Sequence, residues 1–125
     1  MKCLVVDDSA TMRRIVVNAL KSIGYTETAE AADGNEALAL CDGGVGLVIT
    51  DWNMPVMGGL DLVKRLRANP ETAATPILMV TTRSIKDDIL TAVQAGVSNY
   101  IVKPFTPQVL KEKIDQMLAG AAHAA

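Results

Sequence analysis

The chain has 125 residues, half of them apolar and 21% charged, and its 14 acidic and 12 basic residues give a net charge of −2. These values are typical of one globular domain whose core is large enough to fold without a metal or a disulfide framework. The negative charge and an aromatic content of 3% argue against nucleic-acid binding, because the chain has neither a basic field nor many stacking platforms.

No segment predicts a membrane span or an export signal, because the apolar runs are only a few residues long. Cys3 and Cys41 have no CxxC spacing, so we interpret them as reduced core thiols. We therefore expect a cytoplasmic monomer that binds neither membranes nor nucleic acids.

In chain order, the apolar run Cys3–Val6 predicts the first strand. An apolar stripe of helical period over Met12–Ile23 predicts the first helix, which ends at Gly24. Thr26–Ala31 alternates small and polar residues, which indicates an edge strand.

The rest of the chain repeats this alternation. Helical patterns cover 37–41, 62–66, 85–93 and 110–118, and apolar runs that predict strands cover 47–49, 77–80 and 100–102. Gly96 is expected to end the fourth helix, and Thr106 as N-cap before Pro107 to begin the fifth. Residues 121–125 carry no apolar stripe and are expected to fray, which places the domain at residues 1–120.

The order βαβαβαβαβα predicts an α/β fold. Strands joined by helices run parallel, and right-handed crossovers place helices on both faces of the sheet. Near-continuous apolar strands suit a sheet covered on both faces. We therefore expect a doubly wound, five-stranded parallel sheet with five helices.

Polar side chains follow four of the predicted strands. They are Asp7 and Asp8 after the first strand, Asp51 after the third, Thr81 and Thr82 after the fourth, and Lys103 after the fifth. Because the carboxyl ends of parallel strands meet at one edge of a sheet, these groups are expected to share the rim where such sheets bind ligands.

Three carboxylates and one ammonium leave an excess negative charge that a divalent cation would neutralise. Oxygen ligands without nearby His or Cys favour Mg²⁺ over zinc or copper. A carboxylate can attack phosphorus to form an acyl phosphate, and the metal, Lys103 and the hydroxyls can then stabilise the phosphoryl charge. The rim therefore has the groups for a magnesium-dependent aspartyl-phosphate site.

Each of these residues also has a simpler interpretation when taken alone. Asp7 and Asp8 precede a helix and could only cap it. Asp51 could be a solvated loop acid, Lys103 with Pro104 a turn, and the threonines ordinary loop hydroxyls. Their occurrence together at four strand ends of one sheet favours a functional site.

Four motifs in order resemble the receiver domains of two-component response regulators, with likeness over nearly the whole chain. They are Leu4–Asp8, Ile49–Pro55, Leu78–Thr81 and Tyr100–Phe105. The segments Met12–Val16 and Asp51–Pro55 are most similar to the stand-alone chemotaxis regulators of this family. The resemblance implies a flavodoxin-like strand order of 2-1-3-4-5 and a cis peptide before Pro104.

The resemblance implies that Asp51 is the phosphoacceptor. Asp8 and Asp51 would bind Mg²⁺ directly with the backbone carbonyl of Asn53, and Asp7 would hold a metal-bound water. Lys103 would pair with the acceptor and then with the phosphoryl group.

The resemblance also implies a switch rather than an enzyme, although the domain would assist its own phosphorylation and dephosphorylation. Thr81 would move toward the phosphoryl group, and Tyr100 would turn inward behind it. The phosphodonor would be a histidine kinase. The target would be the flagellar motor switch, met by a surface that includes Lys86, Ile89, Tyr100 and Lys113. Ile89 also fits the core stripe, and the lysines also fit a solvated face.

The sequence departs from the family pattern in two places. Gly58 precedes Gly59 where an acid is common, which is expected to affect the entry to the third helix rather than the chemistry. Close relatives carry an acid at the position of Arg83, and the resemblance implies that this position and Asn53 flank the route of attacking water. The phosphoryl lifetime and a dedicated phosphatase partner are therefore left open.

Other functions stay as alternatives. A phosphate sink, or a regulator of a non-motile pathway, would use the same site. A metal-dependent aspartyl phosphatase is disfavoured, because its Asp-x-Asp pattern and cap insertion are missing. A flavin carrier is disfavoured, because Asp7 and Asp8 would repel its phosphate.

Overall fold

The computed structural model describes residues 1–41 and 44–124, and within them five strands alternate with five helices. The strands are β1 (Cys3–Val6), β2 (Thr28–Ala31), β3 (Leu47–Thr50), β4 (Ile77–Thr81) and β5 (Asn99–Val102). The helices are α1 (Ala10–Ser22), α2 (Gly34–Cys41), α3 (Gly59–Ala68), α4 (Lys86–Ala95) and α5 (Pro107–Ala124). All strands pair in parallel in the order β2-β1-β3-β4-β5, which confirms the predicted fold and strand order.

Two apolar clusters explain why the strands are apolar on both faces. One cluster joins α1 and α5 to one face of the sheet, through residues such as Leu20 and Leu110. The other cluster contains Leu62 and Leu66 of α3 and Ala92 of α4 on the opposite face. Successive strand side chains point to opposite faces, so every position of β1, β3 and β4 is buried.

The helix boundaries follow local capping chemistry. Gly96 adopts the left-handed conformation (φ 116°) after α4, and the Thr106 hydroxyl accepts the Val109 N–H at 3.2 Å, so both predicted boundaries are confirmed. The N-cap of α1 is Ser9, whose hydroxyl accepts the Met12 N–H at 3.2 Å. The alternative in which Asp7 and Asp8 merely cap this helix is therefore wrong.

Helix α5 extends beyond the apolar stripe and continues to Ala124. Alanine has the highest helix propensity, which suits an alanine-rich helix end. The prediction that residues 121–125 fray stays a prediction, and residue 125 lies outside the described residues. In the part of the chain that the structure describes, no helix is long and apolar enough to cross a membrane.

Val56, in the loop between β3 and α3, has a left-handed backbone with φ 66°. Its side chain is 84% exposed, so packing does not offset the clash between its Cβ and the backbone. A β-branched residue is unfavourable in this conformation, whereas Asn tolerates it.

We expect Val56→Asn to raise the free energy of unfolding by about 1 kcal/mol, because it relieves this clash. Urea unfolding measures the change as a shift in midpoint at constant slope. Val93→Asn is the matched control, since Val93 is exposed on α4 and helix propensities of Val and Asn are similar. Equal effects of the two substitutions would show that loss of an exposed apolar group, not backbone strain, explains the result.

Candidate functional site

Backbone hydrogen bonds continue one residue beyond three strands and fix the rim of the sheet. The Asp7 N–H donates to the Ala31 carbonyl at 3.1 Å, and the Asp51 N–H donates to the Val6 carbonyl at 3.0 Å. The Lys103 N–H donates to the Thr81 carbonyl at 2.8 Å. The polar residues that follow β1, β3 and β5 are therefore held by the sheet itself rather than by free loops.

Lys103 brings the two carboxylates of this rim together. Its Nζ lies 3.1 Å from Asp51 Oδ2 and 3.3 Å from Asp7 Oδ2. The three side chains are only 12%, 15% and 6% exposed for Lys103, Asp51 and Asp7. Low exposure strengthens the attraction, because water screens these charges less than it screens surface ion pairs.

Each carboxylate also accepts a backbone hydrogen bond on its other oxygen. The Trp52 N–H donates to Asp51 Oδ1 at 2.6 Å, and the Ser9 N–H donates to Asp7 Oδ1 at 2.9 Å. Both side chains therefore have fixed orientations, and an acceptor fixed before reaction needs little reorganisation. The peptide bond between Lys103 and Pro104 is cis, as the resemblance implied.

Arg13 supports this site, a role that was not predicted from the sequence. Its Nη1 donates to the Asp7 backbone carbonyl at 2.6 Å, and its Nε pairs with Glu30 of β2 at 3.1 Å. The residue lies on α1 beside an equally basic Arg14. Only the packing of α1 on the sheet distinguishes the two.

Gly59 lets the loop after Asp51 approach the start of α3. Its N–H donates to the Trp52 carbonyl at 2.8 Å, and a Cβ at this position would overlap the Asp51 carbonyl. Gly58 is the N-cap of α3 and makes no side-chain capping bond. The Gly58–Gly59 pair thus affects the backbone of the site as well as the helix entry.

The remaining carboxylate, Asp8, is exposed. Within residues 1–41 and 44–124, no three His, Cys, Asp or Glu side chains form a ready metal-binding group. Mg²⁺ nevertheless suits these residues, because it binds through one or two carboxylates and keeps several waters rather than requiring an all-protein cage. Two hydrogen-bonded aspartates at a rim without His or Cys provide that kind of hard oxygen donor.

Arg83 lies directly over the loop that follows Asp51. Its guanidinium carbon is 4.5 Å from the centre of the Trp52 ring, and its Nη2 donates to Asn53 Oδ1 at 3.0 Å. Its Nη1 is 3.6 Å from Asp88 Oδ2 in the first turn of α4. The structure therefore brings Asn53 and Arg83 together, as expected, and shows two contacts that were not predicted, with Trp52 and with Asp88.

Tyr100 and Thr81 both form side-chain hydrogen bonds with the backbone of Arg83. The Tyr100 hydroxyl donates to the Arg83 carbonyl at 2.7 Å, and Thr81 Oγ1 accepts the Arg83 N–H at 3.3 Å. Burial raises the pKa of the Tyr100 hydroxyl, and the negative charge of Asp88 raises it further. The hydrogen bond to the Arg83 carbonyl shows that the Tyr100 side chain already points inward in this structure. Thr82, in contrast, is exposed.

A groove of about 560 Å³ runs between α4, β5 and α5. Ile89, Tyr100 and Lys113 line it together with Phe105. Lys86, the first residue of α4, is exposed but does not line this groove. Three of the four residues expected at a partner surface therefore converge.

Comparisons with known proteins agree with this geometry. The response regulator receiver domain family matches residues 3–115. The chain is 55% identical to the chemotaxis protein CheY1 of Helicobacter pylori over 94% of this chain and 97% of that protein. It is 52% identical to the chemotaxis protein CheY of Pseudomonas aeruginosa over 94% and 95%. The structure of the Vibrio cholerae chemotaxis protein CheY4 has a TM-score of 0.86 at 38% identity, covering 93% and 97%.

Gly59→Ala is expected to lower the free energy of unfolding by about 1–3 kcal/mol, because its Cβ forces the Asp51 backbone to move. Urea unfolding monitored by Trp52 fluorescence measures the loss. Gly46→Ala is the control, since its Cβ would press only on the flexible side chain of Met1 and would lie at an ordinary contact distance of 3.7 Å from the Lys2 carbonyl. A Gly59→Ala protein as stable as the Gly46→Ala protein would contradict the close approach.

Proposed function

The chain belongs to the response regulator receiver domain family and is of the CheY type, and from this premise we propose that Asp51 accepts a phosphoryl group from a histidine kinase. The observation that carries this proposal is the Asp51–Lys103–Asp7 arrangement at the rim. Asp51 follows the central strand β3, and its side chain is more exposed than that of Asp7. A donor can therefore reach Asp51 more readily.

The proposed reaction is an in-line transfer to the Asp51 carboxylate. A carboxylate oxygen forms the new bond to phosphorus, the phosphorus–nitrogen bond of phosphohistidine breaks, and the leaving imidazole takes up a proton. The Trp52 N–H holds one acceptor oxygen, and Lys103 stabilises the charge that moves onto the phosphoryl group. The chain thus positions an acceptor rather than turning over a substrate.

We propose that Mg²⁺ is held by Asp8, Asp51 and the Asn53 backbone carbonyl, with Asp7 contacting it through water. Bound Mg²⁺ supplies positive charge against the phosphoryl oxygens. The support is chemical: the donors are hard oxygens, and the single charge of Lys103 does not balance the two carboxylates of Asp7 and Asp51 that it contacts. The exposed position of Asp8 is compatible with a ligand that also keeps waters.

Phosphorylation of Asp51 is proposed to change a binding surface formed by α4, β5 and α5. Thr81 would turn toward the phosphoryl group, and Tyr100 links β5 to the segment after Thr81 through its hydroxyl. The groove lined by Ile89 and Lys113 would contact the target, and Lys86, on the same helix as Ile89, would extend that surface. The chemotaxis names of the relatives support a flagellar motor switch protein as that target.

The phosphoryl lifetime is proposed to depend on Asn53 and Arg83. The hydrogen bond between them, with the guanidinium stacked on Trp52, covers the loop beside Asp51. Attacking water would therefore have to displace Arg83 or pass around it. This position of Arg83 supports slower loss of the phosphoryl group than with an acid at residue 83. Arg83 would also change the surface that a dedicated phosphatase would recognise.

Asp51→Asn is expected to abolish phosphorylation and leave the fold intact, because the amide has nearly the shape of the carboxylate but is a poor nucleophile. Phosphoramidate with Mg²⁺ is added, and intact mass detects the phosphoryl group. Asp61→Asn, at an exposed acid on α3, should gain the same mass as wild type. A phosphoryl mass on the Asp51→Asn protein would refute Asp51 as the acceptor.

Asp8→Ala is expected to weaken Mg²⁺ binding about tenfold or more, since it removes a proposed ligand. Affinity should also fall at low pH as carboxylates become protonated. Trp52 fluorescence, next to Asp51, follows the titration, with Asp61→Ala as the control. Equal affinities of Asp8→Ala and wild type would exclude Asp8 as a ligand.

A further inference from the structure

Arg83 makes side-chain contacts on two separate elements. On one side its guanidinium stacks on Trp52 and donates to Asn53, both in the loop after Asp51. On the other side it pairs with Asp88 in the first turn of α4. One side chain therefore connects the phosphoacceptor loop to the helix that borders the α4–β5–α5 groove.

We propose that Arg83 is a positioning residue that couples the Asp51 site to α4 by exchanging Asp88 for phosphoryl oxygens. This inference rests on the proposed function, because it requires a phosphoryl group on Asp51. In this proposal the side chain of Arg83 links the phosphoacceptor loop to α4. This link is separate from the one that Thr81 and Tyr100 make through the Arg83 backbone.

The present contacts leave Arg83 free to change partner. Its pair with Asp88 is long, at 3.6 Å, and the two side chains are 37% and 27% exposed, so the attraction is weak. Its Nε is buried and has no hydrogen-bond partner among the described residues. A buried donor without an acceptor is unfavourable, so an arrangement that supplies an acceptor is favoured over this one.

A phosphoryl group on Asp51 would be a stronger partner than Asp88. It carries nearly two negative charges and three acceptor oxygens, and arginine binds such groups through paired hydrogen bonds. Arg83 already contacts Trp52 and Asn53, the two residues that follow Asp51. Moving toward the phosphoryl group would therefore break the pair with Asp88 while the guanidinium stays over the same loop.

The opposite end of α4 is held by a different arginine. Arg67 Nε donates to the carbonyl of Gly96, the C-cap of α4, at 2.8 Å, and its Nη1 donates to the Thr75 carbonyl at 2.6 Å. Gly96 is thus tied to the segment before β4. Loss of the Arg83–Asp88 pair would release the first turn of α4 while its last turn stays anchored.

The test uses beryllofluoride with Mg²⁺ as a phosphoryl mimic on the full chain. Hydrogen exchange of the α4 amides is measured with and without the mimic, and ¹⁹F NMR records its binding. In wild type we expect the mimic to increase severalfold the exchange of amides that bond to carbonyls at the start of α4, such as the Ile89 N–H that donates to the Ile85 carbonyl, and to leave the last turn unchanged. Arg65→Gln is the control, since Arg65 is an exposed arginine on α3 and should respond like wild type.

Arg83→Gln and Asp88→Asn remove the pair from either side. Both should show fast exchange of the Ile89 amide without the mimic, and the mimic should add no further increase. A wild-type response in both variants would overturn the coupling and leave the phosphoacceptor assignment standing. A wild-type protein that binds no beryllofluoride would instead overturn the proposed function, and the coupling with it.

Discussion

The ion pairs of Lys103 with Asp51 and Asp7 are the interaction on which the rest of the site depends. Two carboxylates with little exposure would repel each other strongly without the ammonium between them, because water cannot screen them well. The backbone hydrogen bond from the Lys103 N–H to the Thr81 carbonyl holds the base of this lysine. Lys103 is paired with Asp51 and directly follows β5. A change of charge at the rim can therefore alter the position of β5.

That connection continues through a short chain of contacts to the binding surface. Lys103 follows β5, and Tyr100 within β5 donates to the Arg83 carbonyl. Arg83 in turn lies between the loop after Asp51 and the first turn of α4. A charge added at the rim can therefore affect the groove in two ways, through β5 and through α4. The Arg67 contact with Gly96 anchors the last turn of α4, so a change at Arg83 would affect mainly its first turn.

Much of this molecule could be predicted from its sequence, for physical reasons. The strands are short apolar runs, and each functional side chain follows one of them, so Asp7, Asp51 and Lys103 were expected at one rim. Gly96 and Thr106 end or begin helices through local backbone chemistry, which neighbouring residues suffice to indicate.

The features that the sequence did not predict depend on contacts between distant segments. Arg13 and Arg14 are chemically alike in the sequence, and only the packing of α1 selects Arg13 for the Asp7 carbonyl. The need for Gly59 arises from the approach of α3 to Asp51. Val56 adopts a left-handed conformation that β-branched residues disfavour, so its residue type did not indicate it. It lies in the loop that carries Trp52 and Asn53. The stacking of Arg83 on Trp52 likewise requires the sheet to place two loops side by side.

The most direct test of this account is whether Lys103 transmits the charge at Asp51 to the groove. Backbone amide chemical shifts of Ile89, Tyr100 and Lys113 are measured with and without beryllofluoride and Mg²⁺ in wild type, Lys103→Ala and the exposed-lysine control Lys64→Ala. We predict that all three proteins bind the mimic. The shifts of Tyr100 and Lys113 should change in wild type and Lys64→Ala but not in Lys103→Ala, whereas the shift of Ile89, on the α4 route through Arg83, should change in all three. Mimic-induced shift changes of Tyr100 and Lys113 that are the same in Lys103→Ala as in wild type would contradict the account.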